Sequence, residues 1–129
     1  MKRLFSRYLS WPPVFRIWVA VLWSVLLFTL CLLPVKGIPH WNPVPYMDKW
    51  VHLFLFLVFF LVWSLSSTKS YLYILYIFII SILTGIGIEI LQEYLHMGRH
   101  FDWYDIVFDG MGSSLGYFIL KLFKPDLIR

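Results

Sequence analysis

The chain has 129 residues, 60% hydrophobic and only 14% charged, against roughly 25% charged residues in an average soluble domain. That excludes a soluble globular enzyme, and the length leaves no room for a separate soluble domain beside one compact helical membrane bundle. The net charge is +4; no nucleic-acid partner is expected of it, and the basic residues serve instead to orient the chain in a membrane.

Residues 1–13, MKRLFSRYLSWPP, form a basic interfacial N-terminal segment. Lys2, Arg3 and Arg7 alternate with Leu4, Phe5, Tyr8 and Trp11, a mixture that lies against an anionic leaflet as a topology anchor. A cleaved secretory signal is not expected, because no small-x-small site follows the apolar run. Pro12 and Pro13 break this segment from residues 14–129, the transmembrane domain. The first span, Ile17 to Val35, carries no charge and reads as packing and lipid contact. Its one cysteine, Cys31, is the only one in the chain, so no intrachain disulfide holds the fold.

The loop that follows contains Pro34, Pro39, Pro43 and Pro45, with Trp41 suited to the headgroup level. A loop this stiff can act as a lid. The second span, Trp50 to Thr68, is preceded by Asp48-Lys49 and opens through DKWVH. On a helix Asp48 and His52 are one turn apart, so either they pair, or Asp48 caps the helix and His52 finds a loop carbonyl. Below His52 the same stripe continues as Phe56, Phe59 and Trp63, an aromatic floor that favours a closed pocket over a pore.

Residues 67–70 make a turn short enough to set the second and third spans antiparallel, with Ser70 as cap. The third span runs from Ser70 to Ile88 and continues to about Leu95. At 100° per residue Gly85, Glu89, Gln92, Glu93 and His96 fall on one polar stripe. After a loop with Gly98 and Arg99, the fourth span, Trp103 to Phe123, begins at Asp102. Asp102 and Asp105 have the spacing of a capping box. Asp105 and Asp109 share a face with Gly112 and Gly116, a small-xxx-small pair suited to close helix packing or to a homodimer.

Four spans place both termini on one side. That side collects Lys2, Arg3, Arg7, Arg16, Lys69, Lys121, Lys124 and Arg129, leaving only Lys36, Lys49 and Arg99 opposite. The positive-inside rule therefore predicts an all-α, four-transmembrane-helix bundle in the cell membrane with both termini cytoplasmic. Asp48, Glu89, Glu93, Asp102, Asp105 and Asp109 then fall on the outer half, as do His40, His52, His96 and His100. Ionisable residues inside or beside spans are by default a functional site, since their burial needs a partner, a cavity or a ligand.

DKWVH, then Glu89 and Gln92, then Arg99, Asp102, Asp105, Asp109, Gly112 and Gly116 resemble the VanZ-like family of small bacterial membrane proteins. Its pattern of D-K-x-x-H, E-x-x-Q and R-x-x-[SD]-x-x-D-x-x-x-N-x-x-G falls on roughly residues 45 to 120. Asp109 stands where the family usually has Asn. The resemblance implies a location in the cell envelope and a link to resistance against teicoplanin-type glycopeptide antibiotics; it implies no reaction.

Three readings of the outer cluster stay open. In the first it is structural, with Lys49 and Arg99 neutralising carboxylates and tying helix ends together. In the second, Asp48, Lys49, His52, Glu89, Gln92, Arg99, Asp102, Asp105 and Asp109 bind a lipid-linked or amphipathic envelope molecule whose head carries phosphate, ammonium or sugar. In the third, the site is a hydrolase or transferase acting through His52, Glu89 and Asp105. It would act either as a metal-free acid–base pair of His52 and Glu89 or with a divalent cation held among His52, Glu89, Glu93, Asp105 and Asp109. No H-x-x-x-H, H-E-x-x-H or G-x-S-x-G spacing accompanies them.

Overall fold

The computed structural model describes residues 2–33, 47–66, 70–95 and 100–124. Among them are five helices and no strand: α1 (Lys2–Leu9), α2 (Pro13–Leu32), α3 (Met47–Ser66), α4 (Tyr71–Leu95) and α5 (Trp103–Phe123). The last four are long and apolar enough to cross a membrane, each covering about 30 Å or more at 1.5 Å per residue. The proline-rich loop with Trp41, the centre of the 67–70 turn, and His40, His96, Gly98 and Arg99 lie outside the described residues.

Sequence chemistry sets the helix limits. Pro13 occupies the first turn of α2, where its missing N–H costs nothing and its fixed φ suits the helix. The helix therefore starts before the charge-free run and takes in Arg16. Burying that guanidinium requires an acceptor, and Arg16 Nη1 donates to the Leu65 carbonyl near the end of α3 at 2.9 Å. Ser70 Oγ accepts from the Leu72 N–H at 3.2 Å and opens α4.

The helix α3 is the central element, and its broadest interface is with α5. Glycines make that approach possible. A Cβ at Gly112 would run into the Leu53 carbonyl and the Leu57 N, and one at Gly116 would come to 2.8 Å from Phe60 Cδ1. Both glycines are thus used inside the bundle.

Two apolar clusters fill the interior. Phe5, Phe60, Leu65, Ile74, Ile77 and Leu120 close one end, with α1 laid against it through Phe5 and Phe123, 6.2 Å apart. Leu27, Cys31, Leu55, Phe56, Phe59 and Ile88 form the other, joined by the half-buried Trp63. The expected aromatic floor, Phe56, Phe59 and Trp63, belongs to this second cluster. Outward faces carry Trp18, Leu22, Leu72, Leu83, Phe118 and Leu122, all exposed, the pattern lipid contact demands.

Lys124 Nζ reaches Ser6 Oγ at 3.3 Å, so α1, the start of α2 and the ends of α3 and α5 share one end of the bundle. The opposite end brings together the start of α3, the end of α4 and the start of α5.

Candidate functional site

Three helices supply the polar groups at that opposite end. Lys49 and His52 come from the first turns of α3, Glu89 from the last third of α4, and Asp102, Asp105 and Asp109 from the start of α5. His52 is 1% exposed, Glu89 0% and Asp109 1%, with Lys49 and Asp105 also buried.

Lys49 is the hub of the outermost layer. Its Nζ donates to Asp102 Oδ2 at 2.6 Å and to Asp105 Oδ1 at 2.9 Å, with Asp48 Oδ2 at 3.5 Å and the Tyr104 ring 5.9 Å away. The ammonium on Asp102 holds that carboxyl below the usual carboxylate range. Asp102 also caps α5, its Oδ1 accepting from the Tyr104 N–H at 2.8 Å.

The spacing of Asp102 and Asp105 suggests a capping box, and the structure corrects that expectation. In such a box the side chain three residues on would accept from the N–H of the cap. Here that N–H donates to Glu89 Oε2 of α4 at 2.9 Å. A carboxylate from a neighbouring helix does the work, which frees Asp105 for Lys49.

The pairing of Asp48 with His52 is also not what forms. Asp48 stays largely exposed at the helix start, while His52 turns inward and its Nδ1 lies 3.0 Å from Asp109 Oδ1. Close approach of α5 explains the preference: the buried imidazole meets a buried carboxylate on the facing helix. With Asp109 ionised, Nδ1–H donates, and in the neutral imidazole Nε2 then keeps its lone pair. The other oxygen, Asp109 Oδ2, lies over Gly85, where a Cβ would come within 2.5 Å. Gly85 thus makes room for the carboxylate standing where the family pattern has Asn.

Two predicted residues point elsewhere. Gln92 is buried, but its Nε2 donates to the Cys31 carbonyl at 2.8 Å and ties α4 to the end of α2. Glu93 is exposed, accepting from the Phe101 N–H at 2.9 Å with His100 Nδ1 at 3.7 Å. Among the described residues, His52, Glu89 and Asp105 are the ones whose ligand atoms all lie within 4.8 Å of one another. His52 Nε2, Glu89 Oε1 and Asp109 Oδ2 have no hydrogen-bond partner among the described residues.

Against this geometry, the family model VanZ/LLP1 matches residues 4–124. The chain belongs to the VanZ/LLP1 family. Membership and the four apolar helices together make it a multi-pass membrane protein. No curated protein and no solved structure matches it. In this VanZ/LLP1 protein the family's polar positions Lys49, His52, Glu89, Asp102 and Asp105 converge on one bundle end, with Asp48 at its rim.

Sequence reasoning missed the contacts that extend the site inward. Ser81 and Ser113 are buried and share a hydrogen bond of 2.6 Å between α4 and α5. The signal was present in four-residue steps: Ser81, Gly85 and Glu89 on one helix, Asp105, Asp109 and Ser113 on the other. The two stripes face each other.

Proposed function

We propose that the buried end cluster binds the polar head of a lipid-linked or amphipathic envelope molecule entering from the bilayer. The observation that carries this reading is the set of buried, unpartnered polar atoms His52 Nε2, Glu89 Oε1 and Asp109 Oδ2, on three different helices. A network serving only to hold helices together would satisfy its buried acceptors, because an unpaired one costs about 1–3 kcal/mol. Around them Lys49 is tied down by Asp102 and Asp105, His52 Nδ1 by Asp109, and Glu89 Oε2 by the Asp102 N–H, while Asp109 Oδ2, lying over Gly85, is a third unpartnered oxygen of the cluster. His52 Nε2 and Glu89 Oε1 suit hydroxyl or ammonium donors of a sugar or amine head, and the Phe56 and Phe59 floor below favours a closed pocket.

In this reading both termini lie in the cytoplasm and the cluster at the outer face, an orientation that the positive charge at the α1 end supports. Retention of such a molecule is the step by which the protein would act in glycopeptide resistance.

Lipid mass spectrometry of protein extracted from its native membrane tests the reading. Wild-type protein is expected to carry a defined amphiphile that Glu89→Gln, inserted and folded, has lost. Equal lipid content in the two proteins would contradict it.

A second reading, acid–base chemistry on the bound head, is favoured by one contact. Asp109 behind His52 Nδ1 fixes the ring so that Nε2 faces away as a base. Turnover of lipid-linked precursors by wild-type but not by His52→Ala protein would support it, and no turnover would leave binding alone.

A further inference from the structure

We infer that His52, Glu89 and Asp105 form a binding site for one divalent first-row transition-metal ion. The inference stands on the cluster itself and not on the amphiphile. Three helices each contribute one ligand, and their ligand atoms lie within 4.8 Å of one another. Donors around a tetrahedral ion with bonds of about 2.0–2.2 Å sit roughly 3.3–3.6 Å apart. Closing that gap takes about an ångström of side-chain movement, without moving a helix.

The unpartnered atoms are of the right kind. His52 Nε2 is the ring nitrogen left free by Asp109, and Glu89 Oε1 is the carboxylate oxygen left free by the Asp102 N–H. Both residues are at least nine-tenths buried. Asp105 gives Oδ1 to Lys49, and its carboxylate has a second oxygen to offer.

Asp109 adds the feature expected behind a metal-bound histidine. Such an imidazole nearly always donates its other N–H to a carboxylate or carbonyl, which fixes the tautomer and raises ligand basicity. Asp109 Oδ1 at 3.0 Å from Nδ1 meets that requirement.

Charge points the same way. Glu89, Asp105 and Asp109 are buried carboxylates; Lys49 is hydrogen-bonded to Asp105 and the His52 imidazole to Asp109. Glu89 has no cation hydrogen-bonded to it among the described residues, and burying its charge is costly unless something neutralises it. One divalent ion does so.

One nitrogen and two oxygen donors suit Zn²⁺ or Mn²⁺ better than a hard ion such as Ca²⁺ or a thiolate-seeking one. Three protein ligands leave a coordination position open. An oxygen of a phosphate or sugar head fits there, so with the ion bound the head would meet the metal in place of direct hydrogen bonds to His52 Nε2 and Glu89 Oε1.

Metal analysis of detergent-purified protein, stripped with chelator and reloaded separately with Zn²⁺ and Mn²⁺, tests the site. Wild-type protein is expected to hold one ion per chain and to gain thermal stability with it. Glu93→Gln, outside the cluster, should bind as wild type does; Asp109→Asn should bind 10- to 100-fold more weakly, the usual loss behind a ligand histidine. His52→Ala and Glu89→Gln should bind none.

X-ray absorption on Zn²⁺-loaded wild-type protein keeps the test independent of whether those variants fold. One imidazole and oxygen neighbours are expected. Substoichiometric uptake of both metals, an all-oxygen shell, or uptake weakened as much by Glu93→Gln as by Asp109→Asn would overturn the inference. Lipid is read separately, so a metal-free protein that still retains its amphiphile would refute the ion and leave the proposed function standing.

Discussion

Gly112→Ala is the substitution whose effect follows most directly from the packing of α3 on α5. The new Cβ meets the Leu53 carbonyl and the Leu57 N, both backbone atoms of the facing helix. Neither can rotate away, so α5 must shift as a body. Overpacking typically costs about 1–3 kcal/mol, and a backbone neighbour puts this case at the upper end. Alanine recovers about 1 kcal/mol of helix propensity. A net loss of about 1–2 kcal/mol remains, a rise of roughly 5- to 30-fold in the unfolded fraction.

Gly87→Ala is the control, because a Cβ there meets nothing within 4 Å, and it should match or slightly exceed wild type. Equilibrium unfolding in mixed detergent micelles, followed by the fluorescence of the seven tryptophans, measures all three proteins. Equal stability of Gly112→Ala and wild type, or equal loss in both variants, would refute the claim that α3 and α5 meet through Gly112.

Lys49→Met removes the cation from the buried Asp105 and should cost about 3 kcal/mol or more, as breaking a buried pair does; Lys49→Arg should recover part of it in the same assay. Asp102→Ala loses the cap on the Tyr104 N–H, worth about 1 kcal/mol, whereas Asp102→Asn should keep most of that share. Ser81→Ala and Ser113→Ala should each destabilise, and their double-mutant cycle should return a coupling of about 0.6 kcal/mol, the average for interhelical hydrogen bonds in membranes; a coupling of zero would contradict the bond. A periplasm-active reporter fused after Arg129 should be silent, and strong activity would reverse the proposed orientation.

Most of the bundle was legible because its signals are local. Trp103 to Phe123 is the fourth helix as read from apolar length, and the third ends at Leu95 as expected. Composition reports burial in lipid, and the spacing of Glu89, Asp105 and Asp109 reports helix faces. Partner choice was not legible, because it depends on how helices far apart in sequence rotate against one another. Helix spacing offers His52 only Asp48 or a loop carbonyl; Asp109 becomes its partner because Gly112 and Gly116 bring α5 onto α3.

The same limit applies to Glu93 and Gln92. Both lie on the stripe with Glu89, yet one turns outward to the Phe101 N–H and the other to the Cys31 carbonyl. Arg16 was read only as an inside charge. Its use as a buried donor to the Leu65 carbonyl depends on Pro13 starting the helix early.

On both the binding proposal and the metal proposal, the space bounded by His52, Glu89 and Asp105 holds something other than protein. An experimental structure of the protein extracted from native membranes tests it most directly. Non-protein density in contact with His52 Nε2 and Glu89 Oε1 is the expected result. Those two atoms bonded to each other, with Asp105 closed over them and no density between, would contradict it.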